Sequence, residues 1–266
     1  MPESKEFRFG NMRLESGVRL HFAHKDEGRG DTPVLFLHGY VDSWRSFEAV
    51  LDCVCLAGRI VVPDLRGHGD SDKPACCYGI EDYALDLSLL MDALGLDKVD
   101  LVGHSMGSFI AQFLAARYPE RVGRLVLISS APCLADKTAL LEIKPSIEAL
   151  KDPIPKSFAA QFQMPSNPVS ADFMDGIVSQ TMKVPAHVWR CALSGLLQFD
   201  HGPLLGRITV QTLLLWGNQD PLVSRRDQEA LLSQIAGSRL KELDTGHCPH
   251  WEKPEETARV LKEFLS

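Results

Sequence analysis

The sequence predicts an α/β fold: a mostly parallel, eight-stranded sheet flanked by helices, with a helical cap inserted late in the chain. Three observations lead to it. Short, continuously apolar runs alternate with segments of helical spacing. Such runs need cover on both faces, which helices on either side of a parallel sheet supply. Between about Ala131 and Gly202 the alternation stops, and prolines (Pro145, Pro153, Pro155, Pro165, Pro168, Pro185) punctuate helical segments without a clear strand.

Taken in order, residues 12–24 read as a hairpin turning near Ser16-Gly17. Residues 34–37 form a fully apolar strand. Helical spacing covers 43–56, with Asp42 or Ser43 placed to cap it. Residues 59–63 form another apolar strand. A helix over 81–94 stops at Gly95, a common C-terminal signal. Then follow strand 98–102, helix 106–118, strand 124–129, strand 211–216, helix 224–235, strand 239–243 and helix 255–265. The division is a core of 1–130 with 204–266, and a cap of 131–203. Most apolar cap residues, among them Phe158, Phe162, Met164, Trp189, Leu193 and Leu197, pack the cap onto itself and the core. A few line a pocket.

Bulk properties bound the function. A chain of 266 residues suits one large α/β domain with an insertion. A 45% hydrophobic and 24% charged composition supports a sizeable core. The net charge of −7 argues against nucleic acid or an anionic membrane surface as partner. The seven cysteines are odd in number and contain no C-x-x-C pair. Cys53/Cys55 and Cys76/Cys77 are too closely spaced for a zinc half-site, so scattered thiols in a reducing cytosol are expected. No metal or cofactor is expected. Residues 1–6 are polar and no apolar run approaches membrane-spanning length, so a cytoplasmic protein without signal peptide or membrane span is expected. Composition leaves the oligomeric state open.

The chemistry concentrates in Gly103-His104-Ser105-Met106-Gly107, which follows the strand run ending at Val102 and opens a helical pattern. A G-x-S-x-G turn between strand and helix holds a serine hydroxyl exposed above the sheet, and its glycines remove colliding Cβ atoms. A serine nucleophile needs a base, and the base needs an orienting carboxylate. Downstream, strand 211–216 runs into Gly217-Asn218-Gln219-Asp220, and strand 239–243 runs into Asp244-Thr245-Gly246-His247. Ser105, Asp220 and His247 thus arise at successive carboxyl edges, where ligands bind such sheets. His250 is the rival base, and Asp244 and Asp136 are the rival carboxylates. Two backbone donors are expected for an oxyanion: the N–H of Met106, after the nucleophile, and that of Tyr40, after His38-Gly39 at the end of strand 34–37.

With these residues the chain resembles the α/β-hydrolase fold superfamily, in the branch of cofactor-free haloperoxidases, enol-lactonases and small carboxylesterases. The resemblance rests on His38-Gly39-Tyr40, Asp64-Leu65-Arg66-Gly67-His68-Gly69-Asp70-Ser71, Gly103-His104-Ser105-Met106-Gly107, Gly217-Asn218-Gln219-Asp220 and Gly246-His247. Ser108 stands where many relatives carry another glycine. The cap matches no subfamily. The resemblance implies a Ser105–Asp220–His247 triad and a supporting role for the 64–71 loop. Ser105 departs from the elbow aspartate of haloalkane dehalogenases and epoxide hydrolases and from the cysteine of dienelactone hydrolases. The expected activity is hydrolysis of a small, largely apolar ester through an acyl-enzyme. Lactone, thioester or carbon–carbon bond hydrolysis by the same residues stays open, as does a perhydrolase side reaction. A slow-turnover ligand receptor on this fold is the alternative from another class.

Overall fold

Alternate side chains of each central strand enter two different cores, and this division organises the molecule. The computed structural model describes residues 7–26, 32–54, 56 and 58–266. The polar residues 1–6 and Cys55, both considered above, lie outside the described residues. Eight strands form one sheet: β1 (Arg8–Arg13), β2 (Arg19–Asp26), β3 (Val34–Leu37), β4 (Arg59–Pro63), β5 (Val99–His104), β6 (Val122–Ile128), β7 (Gln211–Gly217) and β8 (Arg239–Leu243). Their spatial order is β1-β2-β4-β3-β5-β6-β7-β8. β2 runs antiparallel to both β1 and β4, and every pairing from β4 across to β8 is parallel.

The helices are α1 (Glu48–Cys53), α2 (Ile80–Ala93), α3 (Met106–Arg117), α4 (Thr138–Glu148), α5 (Lys156–Phe162), α6 (Ala171–Thr181), α7 (Ala186–Gln198), α8 (Gly202–Leu205), α9 (Arg225–Gln234), α10 (Pro249–Glu252) and α11 (Pro254–Leu265). On one face of the sheet Leu35, Leu101, Leu125, Leu127 and Leu214 join α2 and α3 through Leu87, Ile110 and Leu114. On the other, Phe36, Val102, Val126, Ile128 and Leu215 meet α1 and α11 through Val50, Leu51 and Leu261. Each such side chain, once buried, contributes about 1.5–3 kcal/mol. This explains why the strands read as unbroken apolar runs.

Local chemistry sets the helix ends. The Asp82 carboxylate accepts the Gly79 N–H at 2.9 Å to start α2, and the chain reverses at Gly95. Ser224 and Asp227 form a capping box on α9. The single helix expected over 43–56 is instead a 3-10 turn, Trp44–Phe47, followed by the short α1. Ser43 Oγ takes the Arg45 N–H and the Asp64 carboxylate takes that of Trp44, so these donors are fixed by side chains at the tight first turn.

Helices α4 to α8 lie between β6 and β7, which are hydrogen-bonded neighbours. The excursion is pinched at its base. The His201 N–H donates to Pro132 O at 3.0 Å, and Cys133 pairs with Asp200 in an isolated antiparallel bridge. Helix α7 is tied to the core loops. Tyr40 Oη donates to Trp189 O at 2.5 Å, and the His187 ring donates to Pro74 O at 3.0 Å. Gly195 lies so close to Tyr78 that a Cβ there would sit 2.2 Å from Tyr78 O. Among the described residues, no helix is long and apolar enough to cross a membrane.

Candidate active site

Ser105 stands between the last residue of β5 and the first of α3 with φ +48 and ψ −118. A non-glycine residue in that region costs of order 1–3 kcal/mol, which the surroundings must hold in place. They do so tightly: the Ser105 N–H donates to Ile128 O at 3.0 Å, and Ser108 Oγ donates to Ser105 O at 2.6 Å. Gly107 allows the end of β3 to seat on the first turn of α3; a Cβ there would lie 2.1 Å from Leu37 O. That contact brings the loop carrying Tyr40 beside the turn carrying Met106. Val41 and Ser129, at the carboxyl ends of β3 and β6, also have positive φ, +56 and +51. Three of the four described non-glycine residues with positive φ therefore gather on this edge.

The structure brings Ser105, His247 and Asp220 into one hydrogen-bonded chain. Ser105 Oγ lies 3.0 Å from His247 Nε2, and His247 Nδ1 lies 2.7 Å from Asp220 Oδ2. A carboxylate only accepts, so the proton sits on Nδ1 and Nε2 is free to take the serine proton. The other Asp220 oxygen accepts from Leu222 N–H at 2.8 Å and Val223 N–H at 3.1 Å. Burial pushes the Asp220 carboxyl up, but His247 and these two donors outweigh it, and the carboxyl lies below its ordinary value. Burial lowers the His247 imidazole, yet Asp220 outweighs that too and holds it above its ordinary value.

The rivals point elsewhere. His250 is fully buried, with Nε2 3.0 Å from Ser46 Oγ, and burial pushes it down to about 3. Asp244 accepts from Gln219 Nε2 at 2.6 Å. Asp136 is exposed beside Lys137. The His104 ring donates to His247 O at 3.0 Å, so it braces the loop from behind. His38 bridges Gly39 O and the Leu65 N–H. In the 64–71 loop, Asp64 accepts from the backbone of Trp44 and Asp70 and from the His21 ring.

A cavity of roughly 400 Å³ opens over Ser105 and His247. Leu134, Leu140, Ile143, Phe162, Leu193, Leu196 and Trp251 form its apolar walls, and neither lysine nor arginine is among its described lining residues. Asp42 is a lining carboxylate that the sequence suggested only as a helix cap. Burial pushes it up to about 7, against hydrogen bonds from Ser46 and the Ser43 N–H. Among the described residues, His21, Asp64 and Asp70 are the group spaced to hold a metal ion, but His21 and Asp64 already bond each other and Asp70 pairs with Lys183.

A strand–turn–helix serine, a facing imidazole and a buried carboxylate on a mostly parallel sheet define a class, and the comparisons agree with it. The sequence profile of the alpha/beta hydrolase fold matches residues 32–254, and the chain belongs to that family. It is 30% identical over 281 residues to a 2-hydroxy-6-oxononadienedioate/2-hydroxy-6-oxononatrienedioate hydrolase of Dechloromonas aromatica (strain RCB), covering 96% of this chain and 94% of that protein. An esterase structure from Thermogutta terrifontis, with malate bound, is similar with TM-score 0.80 at 26% identity, covering 97% and 98% of the two chains. The enol-lactonase from Burkholderia xenovorans LB400 reaches TM-score 0.84 over 96% and 99%, but at 21% identity that shows the fold alone. The relatives act on small molecules, and the chain is a hydrolase of this fold.

Proposed function

We propose that this chain hydrolyses carboxylic esters of small, largely apolar substrates. The observation that carries the reading is the Ser105–His247–Asp220 chain under an apolar cavity whose described lining lacks a cationic side chain. Ser105 Oγ attacks the ester carbonyl carbon and its proton passes to His247 Nε2. Asp220 holds the tautomer and stabilises the imidazolium. The developing oxyanion takes the N–H groups of Tyr40 and Met106; one such donor is worth about 2.7–4 kcal/mol in the transition state. His247 protonates the leaving alkoxide, then draws a proton from the water that cleaves the acyl-enzyme. Residues 131–203 act as a cap on a core of 1–130 and 204–266.

The whole-chain likeness to the Dechloromonas protein favours a second reading, carbon–carbon bond hydrolysis by the same residues. A dienedioate carries two carboxylates. In this cavity they would meet Asp42 and no lysine or arginine among the described lining residues. Burying unpaired ions costs several kcal/mol each, so the ester reading is preferred. The test is a panel of esters, thioesters and lactones of graded length, with a 2-hydroxy-6-oxo-dienedioate, on wild type and Ser105→Ala. Neutral short-chain esters should turn over fastest, and only with Ser105 present. Faster cleavage of the dienedioate would establish the second reading, and ligand binding without turnover would make the chain a receptor.

A further inference from the structure

Cys76 and Cys77 are adjacent and exposed, and the proposed reaction uses neither. In extended backbone, neighbouring side chains point to opposite faces. Here Cys77 has φ +71, and the two Sγ atoms face each other in contact. The positive φ turns both sulfurs to one side. The surrounding frame is firm. Cys77 O accepts from Arg66 Nη1 at 2.7 Å, and Arg66 is buried in a two-pronged pair with Asp86, both contacts 2.6 Å. Tyr78 Oη donates to Pro74 O at 2.6 Å, tying together the residues on either side of the pair, and His187 of α7 donates to the same carbonyl. A rigid frame therefore presents two converging thiols to solvent.

We propose that Cys76-Cys77 is a thiol-modification site, a vicinal dithiol that low-molecular-weight disulfides of the glutathione class oxidise to a disulfide between the two neighbours. The first cysteine, as thiolate, attacks one sulfur of the glutathione disulfide, forms a mixed disulfide and expels one glutathione thiolate. The second cysteine attacks the protein sulfur of that mixed disulfide, forms the ring and expels the second glutathione. The dithiol loses two electrons and two protons, and the glutathione disulfide gains both. The Cys77 S–H donates to the Cys76 sulfur, which holds the Cys77 proton and pushes that thiol up, so Cys77 is the second to react. Ring closure is intramolecular between groups already in contact, so it outpaces a second external attack.

The test treats the folded protein with oxidised glutathione, blocks remaining thiols by alkylation in acid-quenched samples, and maps tryptic peptides by mass. Cleavage after Arg66 and Lys98 yields peptide 67–98, in which these are the two cysteines, because Lys73 precedes a proline. The peptide should lose the mass of two hydrogens, resist alkylation and recover with dithiothreitol. In Cys77→Ser the ring cannot close, and Cys76 should retain one glutathione. A doubly alkylated wild-type peptide, a lasting glutathione adduct on it, or an unmodified Cys76 in Cys77→Ser would overturn the proposal. Each readout is independent of Ser105 and of the ester reading.

Discussion

His247 and His250 lie three residues apart, and what separates them is the partner each ring meets: Ser105 and Asp220 for one, Ser46 for the other. His247→Ala should lower kcat on a p-nitrophenyl ester by on the order of 10⁴-fold or more. His250→Ala should leave kcat within a few-fold but lower the unfolding midpoint, because it opens a cavity at a fully buried site. The opposite pattern would exchange their roles. A fluorophosphonate should label Ser105, and Ser105→Ala should abolish both labelling and hydrolysis while the protein stays folded. The pH profile follows from the sign at His247. As the proposed base, His247 must be neutral, and Asp220 holds its pKa above the ordinary 6.5, so the rate should rise with pH through a midpoint above 6.5. A midpoint below 6.5 would mean that burial outweighs Asp220. These three residues were legible in the sequence because each follows a strand at a glycine-marked exit. Asp42 was not legible as a cavity group, since the cavity exists only once α4, α5 and α7 supply the facing walls.

At the scale of elements, the strained residues at the ends of β3, β5 and β6 hold the edge in one arrangement. Gly107→Ala tests this, because its Cβ would meet the carbonyls of Leu37 and His38, and backbone cannot swing away. It should destabilise the fold by about 1–3 kcal/mol in urea denaturation. It should also lower kcat more than it raises KM, because it displaces the proposed oxyanion donors, the Tyr40 and Met106 N–H groups, relative to each other. Full stability with unchanged kinetics would show that the two loops move independently. The central strands were readable from their continuous apolar runs, and α2, α3 and α9 from their spacing, with Gly95 marking the end of α2. The order within 131–203 was not readable. Pro145 sits inside α4, contrary to its usual breaking role, and the apolar residues of these helices face both their own core and the cavity. The 3-10 turn at 44–47 escaped for another reason: the Asp64 carboxylate that helps fix it comes from 20 residues away.

For the whole molecule, the buried histidines set its response to acid. Burial pushes His38 down to about 4 and His68, His201 and His250 down to about 3, and it lowers His104 as well. In the unfolded chain each titrates near 6.5. Between pH 6.5 and about 4 the unfolded state therefore takes up protons that the folded state refuses, and stability falls as pH falls. At pH 5 each ring can account for up to about 2 kcal/mol. His247 acts with opposite sign: its raised pKa stabilises below 6.5 and is lost as pH rises through its folded value. Asp42, raised to about 7, also opposes them, because it protonates more readily in the folded chain as the pH falls. The five outweigh the two. Urea unfolding should show a loss of several kcal/mol from pH 7 to pH 5, before most carboxylates protonate; a flat curve would mean that the folded chain admits those protons. The eight-stranded α/β plan was legible because it follows from patterns local to each strand, whereas the placing of five uncharged rings is a property of the assembled core. The strands flanking the helical excursion already bond to each other, and its two ends meet at Pro132–His201 and Cys133–Asp200. A roof hung from so narrow a stalk can be exchanged for another without rebuilding the floor, so chains sharing this floor are free to diverge in what they admit to the same three residues.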